Sequence, residues 1–99
     1  MSILRRDEVL DVLRQEKTEL ANQYGVITLG VFGSVARDEA REESDVDVVV
    51  TMQRPDLFAM VHVKEALETA LHRKVDIIQY RDKMNPFLKQ RIDQEAVYV

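Results

Sequence analysis

The chain has no cysteine and no tryptophan, only three glycines and two prolines, and 6% aromatic residues. Without cysteine there is no disulfide framework, no thiolate metal site and no cysteine nucleophile. That fits a reducing cytoplasm, the expected location. Few glycines and prolines, with no low-complexity stretch and no internal repeat, leave no sign of a linker. Long apolar runs are also missing. The longest, Val46 to Val50, is broken by Asp47, far short of the ~20 residues that span a bilayer. The opening MSILRRDEVLDVL lacks the apolar segment of a signal peptide. A basic excess is absent too: net charge is −4. Arg5-Arg6 and Arg73-Lys74 are short pairs, not the basic face that phosphate contacts require. Direct polynucleotide binding is therefore not expected, and neither is a membrane.

What is present is enough for one small core. Ninety-nine residues, 45% hydrophobic and 32% charged, describe a single domain over 1–99. Val9, Val12, Leu13, Leu20 and Tyr24 recur at helical spacing over 7–24, with Asp7 placed to cap the start and Gly25 just past the end. Val26 to Phe32 reads as a strand. Gly33-Ser34 ends it, and Val35 to Ala40 can form a short helix before a polar loop from Arg41 to Ser44. Asp45 to Thr51 reads as a second strand. Pro55-Asp56 starts a long helix to His72, with Leu57, Met60, Val61, Lys64, Leu67 and Leu71 as its face. Lys74 to Tyr80 reads as a third strand. Asn85-Pro86 is a strong helix start, with Phe87, Leu88, Ile92 and Ala96 on one side to the end. The expected fold is α/β (α+β), a small mixed sheet flanked by helices in the rough order α-β-α-β-α-β-α.

Chemistry concentrates in GVFGSVARDEAREESDVDVVV. Side chains alternate along a strand, so Asp45 and Asp47 share one face while Val46, Val48 and Val50 enter the core from the other. Two neighbouring carboxylates repel, and a divalent cation resolves the repulsion; hard oxygen ligands select Mg²⁺ or Mn²⁺. Asp76 interrupts the apolar run KVDII, where an aspartate needs compensation. A third carboxylate on a neighbouring strand would allow two ions to sit ~3.5–4 Å apart, the arrangement for in-line phosphoryl transfer. Gly33 permits a sharp turn and close backbone approach, and Ser34 adds a hydroxyl at a helix start that favours anions. Together these suit a nucleoside triphosphate bound with its metal. A lone D-x-D or G-S pair is often only a turn or strand end; the combination in strand–turn–strand context carries the weight.

The pattern GS-x10-D-x-D resembles the signature of the DNA polymerase beta-type nucleotidyltransferase superfamily. The short length, HRKVDII and the closing EAVYV are similar to its minimal members, commonly antitoxin halves of pairs whose toxin is a HEPN-domain ribonuclease. The resemblance implies nucleotide binding at Gly33, Ser34 and Arg37. It implies metal binding at Asp45, Asp47 and Asp76, with catalysis by the same three and Asp76 activating the acceptor hydroxyl. It further implies Mg²⁺, ATP as substrate, transfer of AMP to a tyrosine of a cognate HEPN toxin, and a hetero-oligomer with that toxin. Two alternatives stay open: a non-catalytic module that neutralises its partner by occlusion, and modification of a small molecule. The sequence departs from the family at Asp38, where a glycine is usual. Arg37 either meets a phosphate or only pairs with Glu39, Glu42 or Glu43. His62, His72, Tyr24, Tyr80 and Tyr98 read as packing or surface groups, with Tyr98 in a tail able to meet a partner.

Overall fold

A computed structural model describes residues 5–41 and 43–99. Its elements are α1 (Arg6–Tyr24), β1 (Val26–Phe32), β2 (Val46–Met52), α2 (Leu57–Leu71), β3 (Val75–Gln79), α3 (Pro86–Glu95) and β4 (Val97–Tyr98). The strands form one mixed sheet in the order β3-β2-β1-β4. β1 pairs antiparallel with β2 and β4, while β2 pairs parallel with β3 through the α2 crossover. A parallel pair needs such a crossover, because a tight turn can only reverse the chain.

The sheet is covered on both faces. Val46, Val48 and Val50 pack with Leu13 and Leu20 of α1 and with Val63 and Leu67 of α2. On the opposite face Phe32 and Val49 meet Ile92 of α3. The period-two alternation of β2 thus feeds two cores, a larger one under α1 and α2 and a smaller one under α3.

The structure corrects five expectations. The order is α-β-β-α-β-α-β, because no helix follows Ser34. Residues 33–39 close instead through mixed bonds: Arg37 N to Gly33 O, Asp38 N to Val35 O and Glu39 N to Ser34 O. Those rings of four, three and five residues cannot repeat as a helix. Asp7 does not cap α1; the cap position is Arg5, and no side chain of the cap residue helps. On α2, Leu57 and Val61 are exposed, at 84% and 51%, and the buried residues are Val63 and Leu67. Phe87 likewise points outward, leaving Ile92 as the buried residue of α3. Finally α3 stops at Glu95, and the next residues add β4 beside β1. Gly25 ends α1 at φ 70° as expected, and Asn85 caps α3 by accepting from the N–H groups of Phe87 and Leu88.

Candidate active site

The site is built where three chain segments meet at one end of the sheet. Asp47, the second residue of β2, lies opposite Asp76 of β3 in the parallel register. Opposite residues of paired strands share a face, so the two carboxylates project together toward α3. Across the antiparallel pairing Asp47 meets Phe32, the last residue of β1. The chain then turns at Gly33, which is buried at φ +74°. A Cβ there would collide with the Asp47 carboxylate oxygen and stand 3.3 Å from its Cγ. The glycine therefore does two things: it adopts a left-handed conformation, and it clears the space that Asp47 fills. Ser34 follows, half-buried, at the start of the turn.

Phe32, Asp47 and Asp76 open onto a cavity of about 350 Å³ whose polar lining is Asp47, Asp76, Lys64 and Arg91; Gly33 and Ser34 are not part of that lining. Phe32 and Leu88 are among its apolar walls. Burial pushes the Asp47 carboxyl above its ordinary pKa, and the charges of Asp76 and Asp45 push the same way. Arg91 and Arg37 oppose them. Asp45, just ahead of β2, is exposed and lines a neighbouring groove with Ser44, Arg73 and Lys74. Two of the three expected carboxylates thus face one cavity, and the third stands beside it. Among the described residues no three His, Cys, Asp or Glu side chains form a ready metal cluster.

The turn is held by ion pairs and by α1. Arg37 binds Glu39 at 3.2 Å, as one alternative had it, and also Glu95 of α3 at 2.7 Å. Glu42 lies outside the described residues. Arg91 approaches the same Glu95 at 3.8 Å. Asp38 takes φ 58°, in the left-handed region that favours glycine, and its Oδ1 accepts from the Arg6 backbone N–H at 2.9 Å. It thereby supplies the cap that Asp7 does not. Sequence reading missed Lys64, Arg91 and Glu95. A lone charged residue on a helix carries no motif, and only the fold shows that Lys64 and Arg91 reach the cavity and that Glu95 meets Arg37 and Arg91.

A family model described as polymerase beta, nucleotidyltransferase matches residues 15–99. The chain belongs to this nucleotidyltransferase family. The protein adenylyltransferase MntA of Thermococcus cleftensis is 35% identical to it over 100 residues, covering all of both chains. A solved structure ascribed to a minimal nucleotidyltransferase superposes with a TM-score of 0.75 at 37% identity, over 91% of this chain and 92% of that one. The fold is shared more distantly by a solved complex of a tri-AMPylated HEPN toxin of Shewanella oneidensis with its MNT antitoxin. There the TM-score is 0.59 at 20% identity, over 94% of this chain and 66% of that chain. The chain is an enzyme of the nucleotidyltransferase class, and among its described residues no helix is long and apolar enough to cross a membrane.

The nucleotidyltransferase site fits a divalent cation. Asp47 and Asp76 offer hard oxygen donors on one face, and their repulsion and the burial of Asp47 both disfavour two bare charges. A cation would relieve both costs.

Proposed function

We propose that this nucleotidyltransferase moves AMP from ATP, with Mg²⁺, to a tyrosine hydroxyl of a cognate HEPN ribonuclease toxin and so acts as its antitoxin. One observation carries the reading: the Asp47–Asp76 pair stands beside a Gly33 turn that leaves room only for the carboxylate. The MntA likeness over the full length supports protein as the acceptor, and the AMPylated toxin in the Shewanella complex supports the kind of partner.

In this reading Asp45, Asp47 and Asp76 are the ion ligands. Mg²⁺ bound there would neutralise charge on the triphosphate. The Gly33–Ser34 turn and Arg37 hold the phosphates. The acceptor oxygen attacks the α-phosphorus, its proton passes to the Asp76 carboxylate, and the bond to the β-phosphate oxygen breaks to release pyrophosphate. Positioning and charge stabilisation supply most of the rate gain. The complex is a hetero-oligomer in the cytoplasm.

The test is intact-mass spectrometry of a candidate HEPN partner, incubated with this chain, Mg²⁺ and each nucleoside triphosphate. A gain of one or more AMP units with ATP, absent for Asp45→Asn, is expected. Asp76→Asn should lower the rate by about 10²-fold or more with little change in folding, since Asp76 is exposed. A stable complex with no mass gain, and full protection by the variant lacking both Asp45 and Asp47 carboxylates, would instead establish neutralisation by occlusion.

A further inference from the structure

Arg37 and Arg91 come from segments far apart in sequence, the turn after β1 and the middle of α3. Both charges act on Asp47, and both guanidinium groups converge on one carboxylate, Glu95. Its two oxygens divide the work: Oε1 takes Arg37 Nη1 at 2.7 Å, and Oε2 faces Arg91 Nε at 3.8 Å. The Glu95 side chain is 22% exposed, less than either arginine it holds, at 43% and 53%. Glu39 completes the hold on Arg37 through Nε at 3.2 Å. An arginine fixed on two edges keeps its remaining donors in a set direction, which reduces the entropy lost when an anion arrives.

We propose that Glu95 is a positioning residue: it ties the turn carrying Arg37 to α3 carrying Arg91 and so presents two guanidinium groups together to the triphosphate at the Asp47–Asp76 cavity. This rests on the reading that the cavity takes a nucleotide. Arg91 lines the cavity, while Arg37 and Glu95 stand outside its lining; Glu95 acts only through the two arginines. The arrangement makes an anion beneficial to the binding of an anion. Removing a negative charge beside a phosphate site should, on charge alone, tighten the nucleotide. Loss of positioning has the opposite sign, so the direction of the effect separates the two.

The experiment is calorimetric titration of the full chain with Mg²⁺ and the non-hydrolysable AMP-PNP. Glu95→Ala is expected to weaken binding about tenfold, the worth of a charge-assisted contact. Glu95→Gln keeps an oxygen for Arg37 and is expected to fall between Glu95→Ala and wild type, and it serves alone if the alanine variant does not fold. In an Arg37→Ala, Arg91→Ala background, Glu95→Ala should change affinity no further. Tighter or unchanged binding by Glu95→Ala or Glu95→Gln overturns the positioning role, as does an undiminished Glu95 effect without the arginines. Absence of binding by the wild type would overturn the nucleotide reading itself, and the positioning role with it.

Discussion

Replacing Gly33 with alanine separates the cost of a backbone conformation from the cost of a blocked site, because Gly25 provides an internal control. The two glycines share nearly the same backbone, φ +74° and φ +70°. An alanine in the left-handed region costs roughly 1–2 kcal/mol at either position. At Gly25 the new methyl meets Gln53 Cβ at 3.6 Å, an ordinary contact. At Gly33 it collides with the Asp47 carboxylate, with Cγ at 3.3 Å and Cβ at 3.5 Å. Asp47 must rotate away, adding about 0.5–1.5 kcal/mol for a displaced rotamer. At ~4–8 °C per kcal/mol for a domain of this size, both variants lose roughly 4–16 °C and Gly33→Ala about 2–12 °C more. Activity should diverge far more. Displacing a site group by about 1 Å can cost ~10²-fold, so Gly33→Ala should lose nucleotidyl transfer while Gly25→Ala keeps it. Thermal unfolding and a transfer assay on the two proteins provide the comparison. In an Asp47→Ala background the stability gap between the glycine variants should close. Transfer by Gly33→Ala at the level of Gly25→Ala would refute the reasoning.

Three further outcomes follow from the same geometry. Folding raises the Asp47 pKa above its ordinary 3.8, so its contribution to stability is fully present below that value and is lost as pH rises through the folded one. Asp47→Asn should therefore melt above wild type at neutral pH without divalent ions, with the gap closing below about pH 4; a variant that melts lower at neutral pH would contradict this. Gly30→Ala places a Cβ 2.6 Å from Val97 O and 3.1 Å from Tyr98 Cα, so hydrogen exchange should show β4 released from β1. Asn85→Ala removes the acceptor for two N–H groups at 3.0 and 3.1 Å and should cost about 1 kcal/mol, a fall of roughly 4–8 °C in Tm.

Much of the fold is legible in the sequence, and the exceptions have physical causes. α1 announces itself because it buries one regular face, and β1 and β2 do so because they are short β-branched apolar runs buried on both faces. α2 does not, since LFAMVHVKEALETAL is apolar on several sides. Its first turn carries Leu57 and Phe58 into solvent, so periodicity alone cannot choose the buried stripe. β4 is two residues long and exists only because Gly30 lets it approach, a pairing that local propensity does not contain. For the site, the motif residues Gly33, Asp47 and Asp76 stand together as their spacing implied. Arg91 and Glu95 owe their place to α3 crossing the sheet, which no spacing in the sequence encodes. The cap of α1 is similar: the sequence points to Asp7 as the acceptor, and the side chain that accepts is 32 residues away from Arg6.

That distant cap narrows what evolution can place at position 38. The residue must accept φ 58° and also offer an oxygen to the start of α1. Glycine satisfies the first demand and fails the second; glutamate or serine has an oxygen but tolerates the conformation poorly. Asparagine alone among the other residues meets both. An aspartate at position 38 therefore couples two regions that could otherwise vary independently. Substitutions at the beginning of α1 have their consequences at the turn after Gly33, and the reverse holds equally.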